Sequence, residues 1–123
     1  MIIIPDTNFL IYSAKLNLWR ELEKIPLAII PEVAYELGQV AKKANGKDKE
    51  SAAFVLDMIK YAGIKLKKGY ADDAIIQKAR SMKEAGEKSF AVATMDKELL
   101  QKLRKEGIRT IGIRQKKLFV SGV

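Results

Sequence analysis

At 123 residues and a net charge of +8, the chain is long enough for one hydrophobic core and basic enough to expect a polyanionic partner, most often nucleic acid. It contains neither cysteine nor histidine, which excludes disulfides, thiolate or imidazole metal sites and every histidine-based triad, and leaves Mg²⁺, Mn²⁺ or Ca²⁺ on oxygen ligands. No apolar run is long enough to span a bilayer and no signal peptide is visible, so a cytoplasmic protein without a membrane partner is expected.

Ile2, Ile3 and Ile4 form a β-branched run that reads as a strand buried on both faces, ended by Pro5. Thr7 to Ala14 reads as a short helix, and Leu16 to Glu23 as a second amphipathic piece with Leu18, Trp19 and Leu22 on one face. Leu27 to Ile30 is the next strand expected. Pro31 suits the first turn of a helix that continues to Ala41, burying Val33, Leu37 and Val40, with Glu32 and Glu36 stacked at i, i+4. Lys42 to Lys49 is polar and centred on Asn-Gly, the composition of a loop. A helix with Ala52, Val55, Leu56 and Ile59 follows and stops at Gly63.

Beyond it, Ile64 to Leu66 reads as a short strand, Lys67 to Tyr70 as a basic turn, and Asp72 to Ala85 as a helix burying Ile75, Ile76, Ala79 and Met82. Phe90 to Thr94 is another buried strand, with Asp96 opening a helix that uses Leu99, Leu100 and Leu103. Arg109 to Ile113 forms the last strand expected, and residues 114 to 123 a basic tail. Strands alternating with helices, without repeats or low-complexity segments, predict one domain over 1–123: an α/β/α sandwich in three layers on a mainly parallel sheet.

Acids recur where strands or loops give way to helices: Asp6, Glu36, Asp72 with Asp73, and Asp96. Parallel strands deliver their carboxyl ends to one edge, where ligands of such sheets bind. Each acid also has a plain structural reading. Asp6, Asp72, Asp73 and Asp96 suit helix caps or first turns, and Glu36 a solvated helix face. If they converge, their mutual repulsion raises some of their pKa values, and a divalent cation relieves it. Such an ion can activate water against a phosphodiester without a histidine base.

Four phrases together resemble the PIN-domain ribonucleases: Asp6-Thr-Asn-Phe-Leu10 after an apolar strand, Pro31-Glu-Val-Ala-Tyr-Glu-Leu37, Tyr70-Ala-Asp-Asp-Ala-Ile-Ile76 and Val92-Ala-Thr-Met-Asp-Lys-Glu-Leu99. They appear in the family's order from Met1 to about Ile113. The paired acids after Tyr70 and the Val-Ala-Thr-x-Asp phrase are most similar to the small archaeal and eukaryotic PIN proteins of pre-rRNA processing. The resemblance implies a PIN-like fold and a Mg²⁺- or Mn²⁺-dependent endoribonuclease. It implies that Asp6, Glu36, Asp73 and Asp96 form the metal-binding, catalytic set, with Glu36 selected over Glu32 because it precedes a leucine. Asp72 is then a cap or supporting acid, and Thr7, Asn8 and Thr94 orient ligands or the scissile phosphate. Thr7 and Asn8 read equally well as partners of helix-start amides.

RNA is the partner this implies. Lys42, Lys43, Lys47, Lys67, Lys68, Arg114, Lys116 and Lys117 are the candidate phosphate contacts, and Tyr12, Trp19 and Tyr70 candidate stacking residues. Trp19 reads alternatively as core or as the anchor of a homodimer, an assembly common in the family. These 123 residues hold neither the zinc ribbon nor the long extension of some rRNA-processing relatives. Three other readings stand beside RNA maturation: a VapC-type toxin ribonuclease, a non-catalytic RNA-binding or ribosome-assembly factor, and a structure-specific DNA nuclease, whose larger clamp 123 residues hardly accommodate.

Overall fold

A computed structural model describes residues 1–61, 63–64 and 66–121. In chain order the elements are β1 (Ile2–Pro5), α1 (Thr7–Lys15), α2 (Trp19–Glu23), α3 (Pro31–Lys43), α4 (Gly46–Tyr61), α5 (Ala71–Glu84), β2 (Phe90–Ala93), α6 (Lys97–Lys105), β3 (Thr110–Arg114) and β4 (Lys117–Ser121). The sheet order is β1-β2-β3-β4. β1 and β2 pair in parallel with Ile2 opposite Phe90, β2 and β3 in parallel with Val92 opposite Thr110, and β4 returns antiparallel to β3.

Alternation along the strands sorts the apolar residues onto two faces. Ile4, Phe90 and Val92 join the larger cluster, filled by α3, α4, α5 and α6 through Leu37, Val55, Ile75 and Leu103. Ile3, Ala91, Ala93, Ile111 and Ile113 face the other way, into a smaller cluster with Phe9, Leu18 and Leu22. The expected three layers are present but unequal: α3, α4, α5 and α6, with Leu10 and Ile11 of α1, cover one face, and the second is closed chiefly by the five-residue α2 and its flanks. Trp19 packs against both clusters and meets the Phe54 ring edge-on, with centroids 5.8 Å apart.

Four expectations need correction. Leu27 to Ile30 is not a strand: Leu27 makes one parallel bridge to Ile3, flanked by hydrogen bonds from Ile3 N–H to Pro26 and from Ala28 N–H to Ile3. Bracketed by Pro26 and Pro31, the segment leaves the sheet after a single pairing. Ile64 and Leu66 are likewise outside any strand, with Lys65 outside the described residues. Ile64 packs on the larger cluster while Lys67 N–H bonds Pro31 O, so this stretch is fixed without a ladder. The loop expected over residues 42–49 shrinks to the break between Lys43 and Gly46, because both helices extend into it. Finally, the tail after Arg114 turns through Gln115 and Lys116 and forms β4.

Candidate functional site

Asp6 follows β1 directly, and its backbone N–H still bonds Ala93 O across the ladder. The residue is 5% exposed. Its Oδ1 accepts the Phe9 amide at 2.7 Å, capping α1, and its Oδ2 accepts the hydroxyl of Thr94. The capping reading of this acid thus holds on one oxygen, while the other is tied to the residue that follows β2. Thr94, 1% exposed, also accepts the Asp96 N–H at 3.0 Å. Asp96 in turn caps α6 by accepting the Leu99 amide at 3.0 Å. One buried hydroxyl therefore fixes the positions of two acids that the sequence separates by 90 residues.

Glu36 arrives from a different direction. α3 begins at Pro31, just past the bridge at Leu27, and brings Glu36 to α1, where Thr7 Oγ1 donates to its Oε1 at 2.6 Å. Thr7 is thus a partner of Glu36, whereas Asn8 is exposed on the next position.

The electrostatics join these groups. Burial pushes the Asp6 carboxyl up to about 6, against the pull of the Thr94 hydroxyl and the Phe9 amide, and the charges of Asp72 and Asp96 add to the rise. Asp72 is also raised, by burial first and then by Asp96 and Glu36, while Lys102 draws it down. Asp6, Glu36, Asp72 and Asp96 therefore share one field at the carboxyl edge of the parallel strands.

Of the two roles expected of Asp72, cap or supporting acid, the structure removes the first. α5 starts at Ala71 with Tyr70 as N-cap, so both acids lie in its first turn. Ala71, Ile75 and Ala79 mark the buried face; at about 100° per residue Asp72 stays near it and Asp73 swings further out. Asp73 accordingly adds the smallest of the charge contributions to Asp72 although it is the adjacent residue. Lys102 went unrecognised in the sequence, where nothing separates it from Arg104 and Lys105 on the same basic helix.

The chemistry of this donor set suits a hard divalent cation: the ligands are carboxylates alone, mutually repelling, with one buried and ionising near pH 6. As the side chains stand, no group of three or more acids among the described residues has the spacing to hold an ion. The candidate phosphate contacts are all exposed. Arg114, Lys116 and Lys117 belong to the β3–β4 turn, at the same sheet edge as Asp6, with Arg114 lying 4.5 Å over the Phe119 ring. Lys67 and Lys68 lie in the turn tied to Pro31 at the start of α3, Lys42 and Lys43 end that helix, and Lys47 opens α4.

Residues 2–116 match the family described as a PIN like domain. Ribonuclease VapC4 of Methanocaldococcus jannaschii is 37% identical over an alignment of 127 residues, which covers 95% of this chain and 93% of that protein. The structure of the PIN domain endonuclease Utp24 is similar with a TM-score of 0.70 and 26% identity, covering 99% of this chain and 92% of that one. The motif order, the acids gathered beyond β1 and β2, and these matches agree: the chain belongs to the PIN domain family.

Proposed function

We propose that this protein is a metal-dependent endoribonuclease that hydrolyses phosphodiester bonds in single-stranded RNA. The observation that carries the reading is the shared field of Asp6, Glu36, Asp72 and Asp96 in a chain whose net charge is +8. A bare acidic edge repels a phosphodiester; the basic turns around it offset that repulsion enough to bind a strand, and a cation among the acids would offset the rest at the scissile phosphate. Asp6, Glu36 and Asp96 are the residues that would hold Mg²⁺ or Mn²⁺, with Asp72 or Asp73 as the fourth donor. When bound, such an ion supplies Lewis-acid activation of water and of the leaving oxygen.

The protein's own part is positioning. Thr94 holds Asp6 and the Asp96 backbone, and Thr7 holds Glu36, so three donors keep fixed orientations. Lys102, the cation acting on Asp72, is placed to meet a phosphate that approaches the acids. With no histidine in the chain, proton transfer falls to water and these carboxylates.

RNA maturation is the setting favoured by the Tyr70-Ala-Asp-Asp73 and Val92-Ala-Thr-Met-Asp96 phrases. A toxin role is the second reading, favoured by the 37% identity to a protein named Ribonuclease VapC4. Growth arrest on expression, relieved by Asp6→Asn, would select the toxin.

Cleavage of labelled single-stranded RNA in Mn²⁺, Mg²⁺ or EDTA tests the activity. Cuts that require metal and fall at least 100-fold in Asp6→Asn and Asp96→Asn are expected. Wild type and variants that bind RNA alike without cutting it would replace hydrolysis with a binding or assembly role. Thermal unfolding gives a second readout, because Mn²⁺ should raise the midpoint of the wild type and leave that of Asp6→Asn nearly unmoved.

A further inference from the structure

The geometry points to a nucleobase subsite in the groove that leaves the acid site along α1, with Tyr12 as its stacking platform. This rests on reading the site as a ribonuclease's. The groove has a volume of about 560 Å³ and is walled by Asn8, Tyr12, Val40, Ala44 and Met95, with Lys15 and Asp48 at its rim. Each wall starts in the acid site. Asn8 follows Thr7, Val40 stands one turn beyond Glu36, and Met95 lies between Thr94 and Asp96. A strand whose phosphate sits against the acids therefore has this groove immediately beside it.

The lining chemistry selects the occupant. Tyr12 is 43% exposed and Met95 41% exposed, large apolar surface for a chain to leave to water beside a polar site. Ile113 N–H donates to the Met95 sulfur at 3.3 Å, which holds that side chain against the end of β3. An aromatic ring and a polarizable sulfur together favour a flat π-face. Asn8 offers both a donor and an acceptor to a base edge. Lys15 and Asp48 form an ion pair, so the rim charges answer each other instead of seeking a phosphate or a charged peptide. A neutral, planar group with a polar edge fits these terms, and in RNA that is the base.

The other end of α3 continues the path. The turn at Gly69 packs against Glu32, and Tyr70 beside it is 84% exposed. α3 thus runs from an exposed tyrosine, past Glu36, to the groove at Val40 and Ala44, and a single strand laid along it has an aromatic ring on each side of the acids.

The test compares a fluorescent single-stranded oligoribonucleotide with the same strand made fully abasic, both bound by the full chain in EDTA. Tyr12→Ala should weaken binding of the intact strand roughly tenfold and leave the abasic strand unchanged, since stacking needs a base. Tyr12→Leu, which keeps the bulk and guards against a folding defect, should behave like the alanine variant, and Tyr12→Phe like wild type. Unchanged affinity of both ring-deleting variants for intact RNA overturns the subsite and hands the groove to another occupant, such as a protein segment. Equal losses on both strands overturn it as well. Metal-dependent cleavage of the intact strand by wild type is read separately: binding that follows the pattern above without any cut removes the hydrolysis and keeps the subsite.

Discussion

Asp6 caps α1 with one carboxylate oxygen and accepts the Thr94 hydroxyl with the other, so protein dipoles replace the water this buried group has lost. They replace it incompletely, which is why its pKa lies near 6 rather than 3.8. The folded state then holds the Asp6 proton more tightly than the unfolded chain does. Its contribution to stability is fully present below about pH 4 and is lost as the pH rises through about 6, a change on the order of 3 kcal/mol. Asp6→Asn keeps a capping oxygen and removes the charge. In metal-free solution it should therefore be more stable than wild type at pH 8, by up to about 3 kcal/mol, with the gap closing toward pH 4. Urea unfolding across that range checks it, and a gap that ignores pH would locate the burial cost elsewhere. The same residue shows what was legible at this scale. A carboxylate after a buried strand could be placed at the sheet edge from sequence, but its sharing of oxygens with Thr94 could not, because that partner lies 88 positions away.

Among the elements, the strands and helices with a clear period were readable to within a few residues, and the failures have local causes. β4 was missed because its turn does not advertise itself. Gln115 and Lys116 take φ of 51° and 60°, the left-handed pair of a two-residue hairpin, where Asn-Gly is the usual signal. Each non-glycine residue there costs about 1 kcal/mol. Gln115→Asn combined with Lys116→Gly should thus stabilise the protein by about 1 kcal/mol or more, read from denaturant midpoints. RNA affinity should fall slightly in the same variant, since a basic residue leaves the acidic edge. Leu27 and Ile64 failed for the opposite reason: their apolar runs look like strands, yet their burial is satisfied by packing with little or no ladder. The start of α5 was displaced by a single residue, Ala71 in place of Asp72, which puts both acids inside the first turn instead of at its cap.

For the molecule as a whole, positive charge surrounds an acidic centre, and the balance sets how strongly RNA binding responds to salt. If about three phosphates are neutralised, the slope of log affinity against log salt should be about −2, and Lys116→Ala with Lys117→Ala should make it shallower by about 1. Titrations at several salt concentrations measure both. The convergence of Asp6 and Asp96 followed from the rule that parallel strands share a carboxyl edge, whereas Glu36 depended on the course of α3 over that edge, which no periodicity encodes. The pairing of β1 with β2 also bears on synthesis. Ile2–Pro5 is made some ninety residues ahead of its neighbour Phe90–Ala93. Until then β1 lacks its ladder with β2, Asp6 lacks Thr94, and closing so long a loop waits on every residue between them. The growing polypeptide of this PIN-domain protein thus carries its acids dispersed while it is attached to a machine made largely of RNA, and gathers them only once Thr94 and Asp96 have been made.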